Sequence, residues 1–422
     1  MKPQWYAAVI RHLEPNIRIH LSQRCPSLQE INTSLPLKIE NLYFGPVHFK
    51  INTIPYRLGI VRHYTRGVPP EFIQEENDAG GVQYDVDEFG DSERPAFKKR
   101  MEHDEIPTYK VKQEMEKSLY KLQEELYYER SREQTPSRVN QVSDLQEQVN
   151  TLRADIAHYQ VRIQTPPPKF RHYFSFNMET VDQILVLGHA RYTKRIQDAQ
   201  EYCIRRIFGG LKIHVKTLKI DSRSLESDWK LQVPLEFAMV SILDFYGIDS
   251  DLETLQSVSP SIPTVILNSE LMSYSNPIIQ SAKKLVINGA SRPDCLLETV
   301  GNSRVYRNDE RKFTIDQAKN LVENWIEQKY PRGRHYSVEL QTSQGAKELL
   351  GKIGELGNGR RGIIKETSGK MFPYCINFPI EGTKTEINVY CNSAFTKNSK
   401  SLQGYFYVLN FVINRKGYAN LL

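Results

Sequence analysis

Val215-Lys216-Thr217-Leu218-Lys219-Ile220 alternates apolar and polar residues with the period of a half-buried strand. Similar short runs recur at 240–245, 264–267 and 284–287, and at Arg304-Val305-Tyr306. Their interval is about twenty to twenty-five residues, the length of a unit in which a strand alternates with a helix or loop, as in leucine-rich repeats. One such unit cannot bury its apolar face alone. Successive strands therefore stack into a curved parallel sheet, which leaves one concave surface free, and such surfaces usually bind proteins. The expected fold class is α/β, with a degenerate leucine-rich-like β/α repeat domain over 169–356.

Working outward, 170–176 reads as a strand and 180–208 as one helix closed by Gly209-Gly210. Downstream, Ile315, Ala318, Leu321, Val322 and Trp325 mark an amphipathic helix, followed by a strand at 336–340 and a helix near 346–353. The runs 372–380, 385–391 and 404–413 predict a C-terminal antiparallel meander within 357–422. At the other end, Trp5, Val9 and Leu13 recur every four residues, and Ile17 and Leu21 resume the pattern beyond Pro15. These are short packed helices. From Leu37 the period becomes two (Leu37, Ile39, then Leu42, Phe44), a small antiparallel sheet turning at Gly45-Pro46 and completing an N-terminal helical and β unit over 1–66. Residues 71–93 are rich in Asp, Glu and Gly and contain no Lys or Arg, so 67–108 is expected to be a flexible acidic loop.

The insertion at 109–164 reads as a helical hairpin, with Thr135 as a cap and Pro136 opening the second helix. In that helix Val142, Leu145, Val149, Leu152, Ile156, Tyr159 and Ile163 alternate spacings of three and four, the seam of a coiled coil. Met115, Leu119, Leu122 and Leu126 form a matching stripe on the first helix, so the pair is expected to close within one chain. A coiled-coil dimer through the same seam is the competing use, making the chain a monomer or a weak dimer. Pro166-Pro167-Pro168 ends the second helix.

In 422 residues Lys and Arg total 56 against 50 Asp and Glu, a net charge of +6, too balanced to point to a nucleic-acid protein. The basic and aromatic C-terminus (Lys397, Lys400, Tyr405, Phe406, Tyr407, Phe411) lacks an RNP consensus, and its alternating aromatics read as core. Five cysteines contain no CxxC, and ten scattered histidines form no HExxH, so neither a disulfide framework nor a metal site is expected. Gly357-Asn358-Gly359-Arg360-Arg361-Gly362 matches GxGxxG, but a helix pattern precedes it and a strand pattern follows, the reverse of a dinucleotide site. It reads as a loop. No GxSxG, Walker or kinase signature is present, so the expectation is a protein without catalytic residues or cofactors. Charged residues interrupt the first apolar stretch, and no run is long enough to span a bilayer. A soluble protein of cytoplasm or nucleus is expected.

Ile10 to Leu13, Asn16-Ile17-Arg18-Ile19-His20-Leu21, Arg24-Cys25-Pro26 and Leu28 resemble the opening of a nematode family of unknown function related to F-box-associated proteins. The resemblance continues through Leu35-Pro36-Leu37-Lys38-Ile39-Glu40-Asn41-Leu42, Asn276-Pro277-Ile278, Ala282-Lys283-Lys284-Leu285-Val286-Ile287 and Asn324-Trp325-Ile326-Glu327. It implies an F-box-like helical head and a client-facing repeat domain, as in adaptors that bring proteins to cullin–RING ubiquitin ligases. On that resemblance Trp5, Val9, Leu13, Ile17 and Leu21 would face a Skp-type adaptor. By composition the same stripe serves equally as the inner face of a small core packed on 37–44.

Overall fold

The structure is a computed structural model that describes residues 3–45, 48–65, 69–87, 90, 109–132, 136–162, 170–181, 183–221, 237–247, 252, 262–268, 276–288, 302–308, 313–340, 342–365, 371–395 and 405–421. The strands are β1 (Leu37–Phe44), β2 (His48–Ile51), β3 (Ile54–Tyr64), β4 (Phe170–Glu179), β5 (Ile184–Arg191), β6 (Ile213–Asp221), β7 (Phe237–Tyr246) and β8 (Thr264–Leu267). They continue as β9 (Lys284–Asn288), β10 (Arg304–Asn308), β11 (His335–Leu340), β12 (Arg360–Lys365), β13 (Met371–Pro379), β14 (Thr385–Phe395), β15 (Tyr405–Arg415) and β16 (Asn420–Leu421). Two units divide the chain: Met1–Pro46 with Lys50–Thr53 and Ile204–Leu422, and Val47–Phe49 with Ile54–Cys203.

In the first unit, helices Pro3–His12, Pro15–Arg24 and Pro26–Ser34 precede β1. Pro15 and Pro26 open their helices where a missing N–H costs nothing, and the Glu14 carboxylate accepts from the N–H groups of Asn16 and Ile17. Arg18 is buried. Its guanidinium donates to the carbonyls of Asn32 at 2.8 Å, Leu35 at 2.6 Å and Pro36 at 2.8 Å, a cation set on the C-terminal carbonyls of the third helix.

The strand order in this unit is β16-β12-β13-β14-β15-β11-β10-β9-β8-β7-β6-β1. Strands β1 and β6 to β11 run parallel, each beside its successor, and β11 then pairs antiparallel with β15. Leu42, Leu218, Leu243, Val265, Leu285, Val305 and Tyr336 fall in one register row, and all are buried. Each aliphatic member contributes about 1.5–3 kcal/mol by leaving water. Helix Ile315–Glu327 begins with a capping box between Thr314 and Gln317 and buries Ala318, Leu321, Val322 and Trp325.

Three expectations are corrected here. Strand β1 is not confined to a small antiparallel sheet: it pairs in parallel with β6, Leu37 opposite Ile213 and Phe44 opposite Ile220. The meander is not separate either, because β15 continues the same sheet through β11. Strand β4, expected in the repeat domain, pairs with β3. Alternation predicts that a strand exists and which face is buried, but its partner is decided by packing far along the chain.

In the second unit β3, β4 and β5 form an antiparallel ladder. Its core gathers Leu58, Ile60, Val82, Val86, Phe174, Ile196 and Ala199. The segment expected to be a flexible acidic loop is in part ordered, with helix Glu71–Asp78 and Val82 bridged to Ile60. The Asn77 side-chain amide bonds both the N–H and the carbonyl of Arg62 at 2.8 Å, completing the edge of β3. Glu76 forms an ion pair with buried Arg62, and Asp85 accepts from Tyr192 Oη and from the N–H of Ile196, capping a helix. Two of the acids that argued for disorder, Glu76 and Asp85, are thus paired with groups elsewhere in the sequence. A Cβ at Gly59 would lie 2.2 Å from the Gly80 carbonyl oxygen, and Gly80 has φ +98°, so this approach needs glycine at both positions.

The helix expected over 180–208 is instead the hairpin strand β5 followed by helix Ile196–Phe208. Ile184-Leu185-Val186-Leu187 is a short apolar run that periodicity cannot assign, and pairing with β4 decides it as a strand. Helices Tyr109–Ser131 and Pro136–Arg162 pack through Leu126, Leu145 and Val149, flanked by Leu119, Leu122 and Val142.

Candidate functional site

The parallel strands present two chemically distinct faces. Opposite the buried rows, Lys219, Asp244, Ile266, Val286 and Tyr306 share one register row and are half-exposed. At the strand ends beyond it, Asn268 Nδ2 donates to Asp244 at 2.6 Å and Asn288 Nδ2 donates to Asn268 Oδ1 at 2.8 Å, a ladder of side-chain amides across neighbouring strands. Lys219 lies 4.5 Å from the centre of the Tyr246 ring, and Tyr306 Oη donates to Glu339 at 3.1 Å. Burial pushes the Asp244 carboxyl up, opposed by Lys219 and by the Asn268 amide. Burial and the Glu339 carboxylate also push the Tyr306 phenol up, so it stays a donor at neutral pH.

Toward the antiparallel strands the same face closes over a polar cluster. Ser337 Oγ donates to Asn410 Oδ1 at 2.9 Å and lies 3.0 Å from His335 Nε2, which is 3.1 Å from the same Asn410 oxygen. The amide orientation is fixed because Asn410 Nδ2 donates to Asn392 Oδ1 and to the Val408 carbonyl. An amide oxygen only accepts, so His335 Nε2 bears the proton and cannot take one from Ser337. This is not an activated nucleophile. Nor are the thiols of Cys375 and Cys391: burial first, then Glu386, pushes Cys375 up to about 12, and burial pushes Cys391 up to about 11. Among the described residues no cluster of His, Cys, Asp and Glu could hold a metal ion.

The GxGxxG segment, expected as a loop, is one only as far as Gly359, after helix Ser343–Gly354: Arg360-Arg361-Gly362 open β12 and pair with Asn377, Ile376 and Cys375 of β13. Gly357 and Asn358 line a groove of about 470 Å³ together with Val322, Leu356 and Phe378. A helix precedes this loop and a strand follows it, the reverse of the order a phosphate site requires.

Of the N-terminal stripe, Trp5 is 68% exposed, Val9 60%, Ile17 51% and Leu21 42%, with Leu13 half-buried. The core reading of that stripe is therefore corrected: Ile10, Arg18 and Ile19 face inward instead. Along the hairpin seam Leu145, Val149, Ile156 and Tyr159 are buried and Val142 and Leu152 half-buried, while Ile163 lies outside the described residues. Sequence reading missed the amide ladder, although an Asn ends each of the runs Leu267-Asn268, Ile287-Asn288 and Arg307-Asn308. It also missed buried Arg18 and Arg62, which no local pattern distinguishes from surface arginines.

Among the described residues no helix is long and apolar enough to cross a membrane. No curated protein and no solved structure matches the chain. Residues 195–342, from the start of helix Ile196–Phe208 to the end of β11 and so across the whole run β6 to β11, match a family described as a domain of unknown function (DUF3557).

Proposed function

We propose that the chain is a non-enzymatic protein-recognition module, in which β6 to β11 act as a degenerate leucine-rich-like repeat whose open face holds a client. In this reading the exposed stripe on the N-terminal helices docks a Skp-type adaptor, making the chain a substrate receptor of a cullin–RING ubiquitin ligase. The observation that supports it most is the exposure of Trp5, Val9, Ile17 and Leu21 on consecutive helices. Large apolar side chains gathered at a surface mark interaction sites. A second support is the half-exposed row Lys219, Asp244, Ile266, Val286 and Tyr306, which offers charge, hydrogen bonds and apolar area on one rigid face. The test is affinity purification of the intact chain beside a Trp5→Ala/Val9→Asp variant. The expected result is a Skp-type adaptor and a cullin with the former only. Recovery of neither from the intact chain under mild conditions removes the ligase role.

A further inference from the structure

Strand β5 ends the strand order, and among the described residues it is hydrogen-bonded on one side only, to β4. Natural edge strands are blunted by Lys, Pro, inward charges or a covering element, because a free row of N–H and C=O groups templates another strand. Ile184-Leu185-Val186-Leu187-Gly188-His189-Ala190-Arg191 contains neither Lys nor Pro. Ile184 is 40% and Val186 53% exposed, His189 and Arg191 are exposed, and a Cβ placed at Gly188 would meet nothing within 4 Å. The blunting device present is a bulge at Leu187, between the pairs Phe176 with Gly188 and Asn177 with Val186, which bends the strand without covering it.

We propose that the free edge of β5 is a strand-addition site for an extended segment of a partner protein, apolar at one end and acidic at the other. Ile184, Val186, His189 and Arg191 lie opposite Glu179, Asn177, Ser175 and Tyr173 of β4, and so on one face of the ladder. That face offers an apolar half and a half that carries the Arg191 guanidinium and the His189 imidazole. An antiparallel strand matches it when the residues opposite Arg191 and His189 are acidic and those opposite Val186 and Ile184 are apolar. Main-chain bonds along the edge supply affinity, and the alternate side chains supply selectivity. A second copy of this chain fits badly: two β5 strands paired about a two-fold axis place Arg191 opposite Ile184 and His189 opposite Val186, setting polar side chains against aliphatic ones.

The test uses the full chain and the synthetic peptide Asp-Thr-Glu-Thr-Val-Thr-Ile, which spans the bulge as β4 does, read by amide hydrogen exchange. The backbone amides of 184–191 that point away from β4 should exchange quickly in the free protein and slow on addition of peptide. Arg191→Glu should weaken binding at least about tenfold, and a peptide with Lys in place of its acids should recover that loss. Val186→Lys should weaken both peptides. These positions are at the surface, so an unchanged melting temperature verifies that each variant is folded. Unaltered exchange in 184–191 at saturating peptide, or equal binding of the acidic and Lys peptides to the unmodified chain, overturns the proposal. A concentration-dependent dimer that Val186→Lys abolishes also overturns it, in favour of a second copy.

Discussion

Glu386 is buried, and its carboxylate accepts from the backbone N–H groups of Gly417, Tyr418 and Ala419 at 2.8, 3.1 and 3.2 Å, holding the turn between β15 and β16. Glu386→Ala should cost about 1–3 kcal/mol because the buried N–H of Ala419 loses its acceptor, measured as a shift of the urea midpoint. Cys375 supplies a pH prediction. Its thiol is raised from 9.0 to about 12 in the fold, so its contribution is complete below the unfolded value and is lost as pH rises from 9.0 toward 12. Cys375→Ala should flatten that part of the stability profile in chemical denaturation at successive pH values. An unchanged slope would mean that the thiol is not shielded. Little of this was legible. Glu386 and Cys375 stand in alternating strand sequence like any others, and only their distant partners, residues 417–419 and Asn388, make them special.

Among elements, the helices were the more legible because their signals are local. Thr314 and Gln317 form the capping box beside the apolar stripe Leu321, Val322 and Trp325. The acidic segment was misread because its order depends on Asn77 closing the edge of β3 and on Asp85 capping a later helix. Asn77→Ala should cost about 1–3 kcal/mol and speed amide exchange at Arg62. Slow exchange at Arg62 in that variant would show that the edge is held without the side chain. The hairpin gives a prediction of oligomeric state. Leu145 and Val149 pack on Leu126 of their own chain, so the seam is occupied and light scattering should report a monomer at micromolar concentration. A dimer that Val149→Asp dissociates would contradict the closed hairpin.

At the scale of the molecule, the sheet in the first unit joins residues that no short-range pattern connects. The parallel run β6 to β10 was readable from spacing, and Val265, Leu285 and Val305 do fall in one buried row. The pairing of β1 with β6 was not, because a buried strand is equally apolar whichever strand lies beside it. The candidate face follows from the same register, which sets Ile266, Val286 and Tyr306 side by side opposite the core rows. The most direct measurement is quantitative co-purification with an Ile266→Arg/Val286→Glu variant, compared with the intact chain and with Trp5→Ala/Val9→Asp, each verified as folded by its melting curve. The account predicts that the face variant loses the client set but keeps the adaptor, and that the helix variant does the converse. Identical partners for all three proteins would contradict it.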